Sequence, residues 1–94
     1  MQTERFTKLL ASLQELQLTA MLKGIYSFQI DVNFYRANPE FGDESDEYRI
    51  EATVFLTEDL DDDSNYLRVE FSEQFDDAII WQRFVRIRKF IEEA

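Results

Sequence analysis

The chain has neither cysteine nor histidine. Without cysteine there is no disulfide framework and no thiolate nucleophile, so the fold has to rest on packing alone. Without histidine, the side chain that ordinarily titrates near neutral pH is missing, and with both absent there is no zinc site of the usual kind. Two glycines and one proline leave little material for tight turns and predict long regular elements. No apolar run approaches the roughly 20 residues that cross a bilayer. The N-terminal stretch is polar and amphipathic, without the apolar segment and small-residue cleavage site of a leader. No glycine-rich loop precedes a helix, so nothing cradles phosphate. Carboxylates act as an acid/base pair where burial pulls their pKa values apart, but most of these fall in hydrophilic loops. The reading is a non-enzymatic, cytoplasmic protein without a cofactor, and without direct nucleic-acid or membrane contact.

What is present is acid, and it is concentrated. From Asp31 to Asp77 there are sixteen Asp and Glu against Arg36, Arg49 and Arg68, a local balance of −13 within a chain of net charge −10. Residues 1–30 carry +1 and residues 78–94 carry +2. A hydrophobic fraction of 45% with nine phenylalanines argues for a packed core despite the charge. Ninety-four residues suit a single domain spanning 1–94.

Apolar positions Phe6, Leu9, Leu10, Leu13, Leu16, Ala20 and Met21 recur at three and four residues, predicting a first helix capped by Thr3 and ended at Gly24. The period then becomes two. Tyr26, Phe28, Ile30, Val32 and Phe34 point one way; after a loop over 37–46, Tyr48, Ile50, Ala52, Val54 and Leu56 do the same. A third alternation puts Leu67, Val69 and Phe71 inward. Ser72 is the expected cap of a last helix with Ile80, Phe84, Ile87 and Ile91 as its stripe. The predicted fold is α+β: a helix, a three-stranded antiparallel meander and a second helix, both helices on one face of the sheet, since clean alternation means one face buried and one wet. Double-stranded-RNA-binding domains share this element order, in topology alone. Where they place lysines at the start of the last helix, this chain reads Glu73-Gln74-Phe75-Asp76-Asp77, which repels phosphate.

Three sets of residues are candidates for function. The acidic loop residues Asp43, Glu44, Asp46, Glu47, Glu58, Asp59, Asp61, Asp62 and Asp63 either keep a small domain soluble or imitate a row of phosphates for a basic partner. Tyr35, Phe55 and Tyr66, expected on the wet face, and Trp81, off the last helix's stripe, would form a contact surface if they lie together. Asp59, Asp61, Asp63 and Glu70 follow the first, third, fifth and twelfth positions of a calcium-binding loop. The sixth position, Ser64, lacks the glycine that the turn of such a loop uses. The leading expectation is a small acidic inhibitor or adaptor that engages a basic, nucleic-acid-handling protein through its acidic loops as a DNA mimic, of the kind phages and mobile elements use against host defence. The alternatives are a scaffold subunit that self-associates into a homodimer through the outer sheet face, and a calcium-binding loop module.

Overall fold

The structure, a computed structural model, describes residues 3–42 and 46–94. Helix α1 runs Thr3–Lys23, strand β1 Ser27–Tyr35, β2 Glu47–Phe55, β3 Tyr66–Ser72 and helix α2 Asp77–Glu92. The strands form one antiparallel sheet in the order β1-β2-β3. Ile30, Ala52 and Val69 lie in one cross-strand row, as do Val32, Ile50 and Phe71. The α+β meander with helices over its apolar face is therefore the fold.

Local chemistry sets the element ends. Helix α1 stops at Gly24, whose φ of 89° is the left-handed conformation that glycine adopts without a Cβ penalty. The Ile25 N–H returns to the Ala20 carbonyl at 3.0 Å and the Gly24 N–H to the Met21 carbonyl at 3.2 Å, the two bonds of a Schellman closure. The side chain of Thr3, the expected cap, lies outside the described residues. At the other helix the expected cap is displaced. Ser72 is the last residue of β3, opposite Arg49, and its hydroxyl donates to Glu47 at 2.7 Å. A turn closed by Phe75 N–H on the Ser72 carbonyl (3.0 Å) follows. Asp76 then caps α2 by accepting the Ile79 N–H at 2.9 Å. The sheet holds Ser72 because the Glu73 N–H still bonds the Tyr48 carbonyl, so the helix starts only after the chain has left the ladder.

Phe6, Leu9, Leu13, Leu16 and Ala20 from α1, Ile50, Ala52 and Val54 from β2, Leu67, Val69 and Phe71 from β3, and Ile80, Ile87 and Ile91 from α2 make one buried cluster. β1 contributes less. Phe28 and Ile30 are partly buried against the core, but Val32 is 50% and Phe34 38% exposed. Their parity is as the alternation predicts, yet α1 does not close over them: Phe6 reaches Tyr48, opposite Phe34, and a cleft is left between Phe6, Leu10 and Val32. Tyr26 and Met21, both expected inward, are also exposed.

Two basic residues tie the helices together. Arg5 of α1 donates to the Glu73 carbonyl and meets Asp77 Oδ1 at 3.1 Å, at the start of α2. Lys23, at the opposite end of α1, donates to the Ile91 and Glu92 carbonyls at 2.7 and 2.8 Å, answering the negative end of the α2 dipole. The helices consequently run parallel. Between these ties lies a groove of about 470 Å³ lined by Ser12, Leu16, Thr19 and Phe84 among others.

Candidate protein-binding face

The wet face of the sheet is a grid fixed by the register. Its rows are Ser27–Phe55–Tyr66, Gln29–Thr53–Arg68, Asp31–Glu51–Glu70 and Asn33–Arg49–Ser72, with Tyr35 opposite Glu47 at the end. The middle row sets three acidic residues side by side on adjacent strands, the strands themselves lying about 4.8 Å apart. Like charges directly opposite are unfavourable, and arginines in the flanking rows offset them. Arg68 Nη2 reaches Glu51 Oε2 at 2.7 Å, and that hydrogen bond holds the guanidinium pKa above its usual value. Arg49 bonds Glu47 at 3.0 Å, which raises the Arg49 pKa likewise. The hydroxyl of Ser72 and then Arg49 stabilise the Glu47 carboxylate and lower its pKa.

The two acidic loops stand at opposite ends of this face. The 37–46 loop joins the end of β1 to the start of β2, and the 56–65 connection joins the end of β2 to the start of β3. Nine residues of β2 separate them, about 26 Å at 3.3 Å per residue. They do not make one cluster; the acidic surface is the open face with an acidic loop at each end. Asp46 ties the base of the first loop, accepting the Ala37 N–H at 2.8 Å and pairing with Arg36 at 3.3 Å. Asp43 and Glu44 lie outside the described residues.

The second loop is organised by a residue that the sequence reading passed over. Asn65 is buried at 5% exposure. Its Oδ1 accepts the Thr57 N–H at 2.8 Å, and its Nδ2 donates to the Thr57 and Asp59 carbonyls at 2.9 and 2.8 Å. An asparagine at the end of a polar connection, just before a strand, is the signal that could have found it. Asp59 accepts the Asp61 N–H. Asp62 accepts both the N–H and the hydroxyl of Ser64, the hydroxyl bond being the main cause of its lowered pKa. Asp59 and Asp62 thus fold the backbone of this turn. Among the described residues no three His, Cys, Asp or Glu side chains are gathered to hold a metal ion. Asp59, Asp61 and Asp63 do not converge with Glu70, which lies well along β3 on the sheet face.

The aromatic candidates do not gather. Phe55 and Tyr66 pack together with centroids 4.9 Å apart at one end of the open face. Tyr35 lies at the other end, with the Arg49 guanidinium 5.5 Å from its ring. Trp81 is on α2, on the helix side, stacked on Phe84 at 6.0 Å with Arg88 5.5 Å from its ring. The centre of the open face is charged and hydrogen-bonded, not apolar.

Among known proteins, no family model, no curated protein and no solved structure matches this chain. Among the described residues no helix is long and apolar enough to cross a membrane.

Two outcomes follow from this geometry. Replacing Asn65 with Ala leaves buried backbone groups unpaired and costs about 1–3 kcal/mol in urea unfolding, whereas Asp61→Asn stays within about 0.5 kcal/mol; equal losses contradict the role given to Asn65. Glu47 has its folded-state pKa below the reference value of 4.5. Its ionised form therefore contributes stability that is complete above that reference value and lost as pH falls through the folded-state pKa. The stability gap between the parent and Glu47→Gln should narrow below pH 4.5; a gap unchanged from pH 6 to pH 3 contradicts the assignment.

Proposed function

We propose that this chain is a non-enzymatic protein-binding module of the cytoplasm, an inhibitor or adaptor that sets the open face of its sheet and both acidic end loops against a basic protein surface. The observation that carries the reading is the division of charge between the two sides of the molecule. Residues 31–77, which apart from Asp77 lie in the strands and their connections, hold a balance of −13. The helical side carries Arg83, Arg86, Arg88, Lys89, Arg5, Lys8 and Lys23 against Glu4, Glu15, Glu92 and Glu93. A polarised charge distribution of this kind orients a partner before contact and raises the association rate. The acids extend along the open face from Asp46 and Glu47, through Asp31, Glu51 and Glu70, to Asp59, Asp61, Asp62 and Asp63. A surface that binds a phosphate backbone, as in a nuclease or polymerase, offers the complementary array of Lys and Arg. The exposed aromatics at each end, Tyr35 and the Phe55–Tyr66 pair, would then make the dry contacts that charge alone does not supply.

Tagged protein is the bait for the test, its bound partner being eluted by salt and the affinity then measured by interferometry. Affinity should fall at least tenfold between about 50 and 200 mM salt, as expected of contacts screened over a Debye length. The double substitutions Glu51→Gln/Glu70→Gln and Asp61→Asn/Asp63→Asn should each slow association, whereas Arg86→Gln should not. A partner held equally well at both salt concentrations, with association unaffected by either pair, overturns the proposal.

A further inference from the structure

The side edge of the sheet at β1 is unlike the rest of the surface. In the β2–β3 ladder the Tyr48 carbonyl accepts the Glu73 N–H, so the backbone groups of the even residues of β2 face β3 and those of its odd residues face β1. Leu56, past the end of β2, bonds both ways, its N–H to Asn65 and its carbonyl to the Tyr26 N–H. Odd residues of β1 are opposite those odd residues. The N–H and C=O groups of Phe28, Ile30, Val32 and Phe34 therefore point outward, away from the sheet. The Phe28 carbonyl confirms the direction: it accepts from Gln17 Nε2 at 2.7 Å. Ile30, Val32 and Phe34 have no such cover among the described residues. The opposite edge is guarded, since Arg83 of α2 donates to the Glu70 carbonyl at 3.0 Å and the strand carries Arg68 and Glu70. An uncovered row of outward backbone groups on an edge strand is a template for another strand.

Few side chains around this edge are charged, in a chain of net charge −10; just past β1 the Arg36 guanidinium lies over the Phe34 ring, 4.7 Å from its centroid. Asp31 is the one charged residue of β1. On α1, the positions three before and four after Gln17 are Gln14 and Met21, followed outward by Leu18 and Leu22. Met21, Leu18 and Leu22 are exposed, as are Val32 and Phe34. An apolar cleft of about 180 Å³ opens beside Val32 between Phe6, Leu10, Tyr48 and Ile50.

We infer that β1 pairs antiparallel with β1 of a second copy, joining two sheets into one of six strands around a two-fold axis. A strand is the occupant that satisfies the outward backbone groups. A basic partner finds no carboxylate here to answer apart from Asp31, whereas two copies of this acidic chain find here the side on which they repel each other least. The strand is also self-complementary. With the axis at Ile30, Asp31 faces Gln29 of the second copy; with the axis at Val32, it faces Asn33. Only the register centred on Asp31 sets carboxylate against carboxylate, and repulsion removes it. The acidic open faces of the two copies would then lie side by side on the joined sheet, the helices of both on its other side.

Sedimentation equilibrium of the parent chain, at 0.15 and 0.5 M salt, tests the pairing. The mass should be that of a dimer at micromolar concentrations and should not fall with salt. Val32→Lys, at a half-exposed site that leaves the far-UV spectrum unchanged, should weaken the dimer at least tenfold, and Tyr66→Ser on the open face should not. Amide hydrogen exchange at Ile30, Val32 and Phe34 in the parent should slow with rising protein concentration, a readout that needs no variant. A monomer at every concentration, or a dimer broken by Tyr66→Ser and untouched by Val32→Lys, overturns the inference.

Discussion

The hydrogen bonding of β2 on both sides is the constraint from which the rest follows. A strand paired with two neighbours has no freedom to rotate, so its alternate side chains are committed to opposite surfaces. Ile50, Ala52 and Val54 are 2%, 1% and 0% exposed; Glu47, Arg49, Glu51 and Phe55 occupy the other side. A slip of one residue would bury the charges and expose the core. Because the helices cover one face only, the other is the broad surface left for charge, and the chain uses it for acid.

The helices keep that division in place. Arg5 and Lys23, at either end of α1, are held by the two ends of α2 through carbonyl oxygens and Asp77. Positive charge is thereby drawn to the helical side and away from the open face, where Arg49 and Arg68 temper Glu47 and Glu51 and Arg36 pairs with Asp46 at its end. Exposed ion pairs contribute little to stability. Arg49–Glu47 and Arg68–Glu51 instead set the spacing of charge on the face, leaving Asp31 and Glu70 in the same row to project theirs.

Much of this was legible in the sequence. The three- and four-residue spacing in α1 and the reversal of parity between β2 and β3 both correspond to the buried sets, because amphipathic periodicity is a direct record of which side faces the core. What was not legible depends on partners distant in sequence. Val32 and Phe34 have inward parity but remain exposed, since how closely α1 packs over β1 is a tertiary matter. Ser72 and Asp76 are equally good caps as residue types, and the Glu73–Tyr48 ladder bond decides between them. The separation of the acidic loops was implied by the meander itself, whose successive turns must fall at opposite ends. Asn65 escaped notice because its three bonds go to backbone groups that no local pattern identifies.

The central claim is that the open face, not the helical side, meets a basic partner. Its most direct test is a ¹⁵N amide shift titration with a lysine-rich peptide at low salt, repeated at 0.2 M. The account predicts the largest shifts at 46–51, 58–63 and 66–70, fading at the higher salt, with α1 and α2 quiet. Shifts centred on Trp81, Phe84 and Arg88, or none on the strands at low salt, would contradict it.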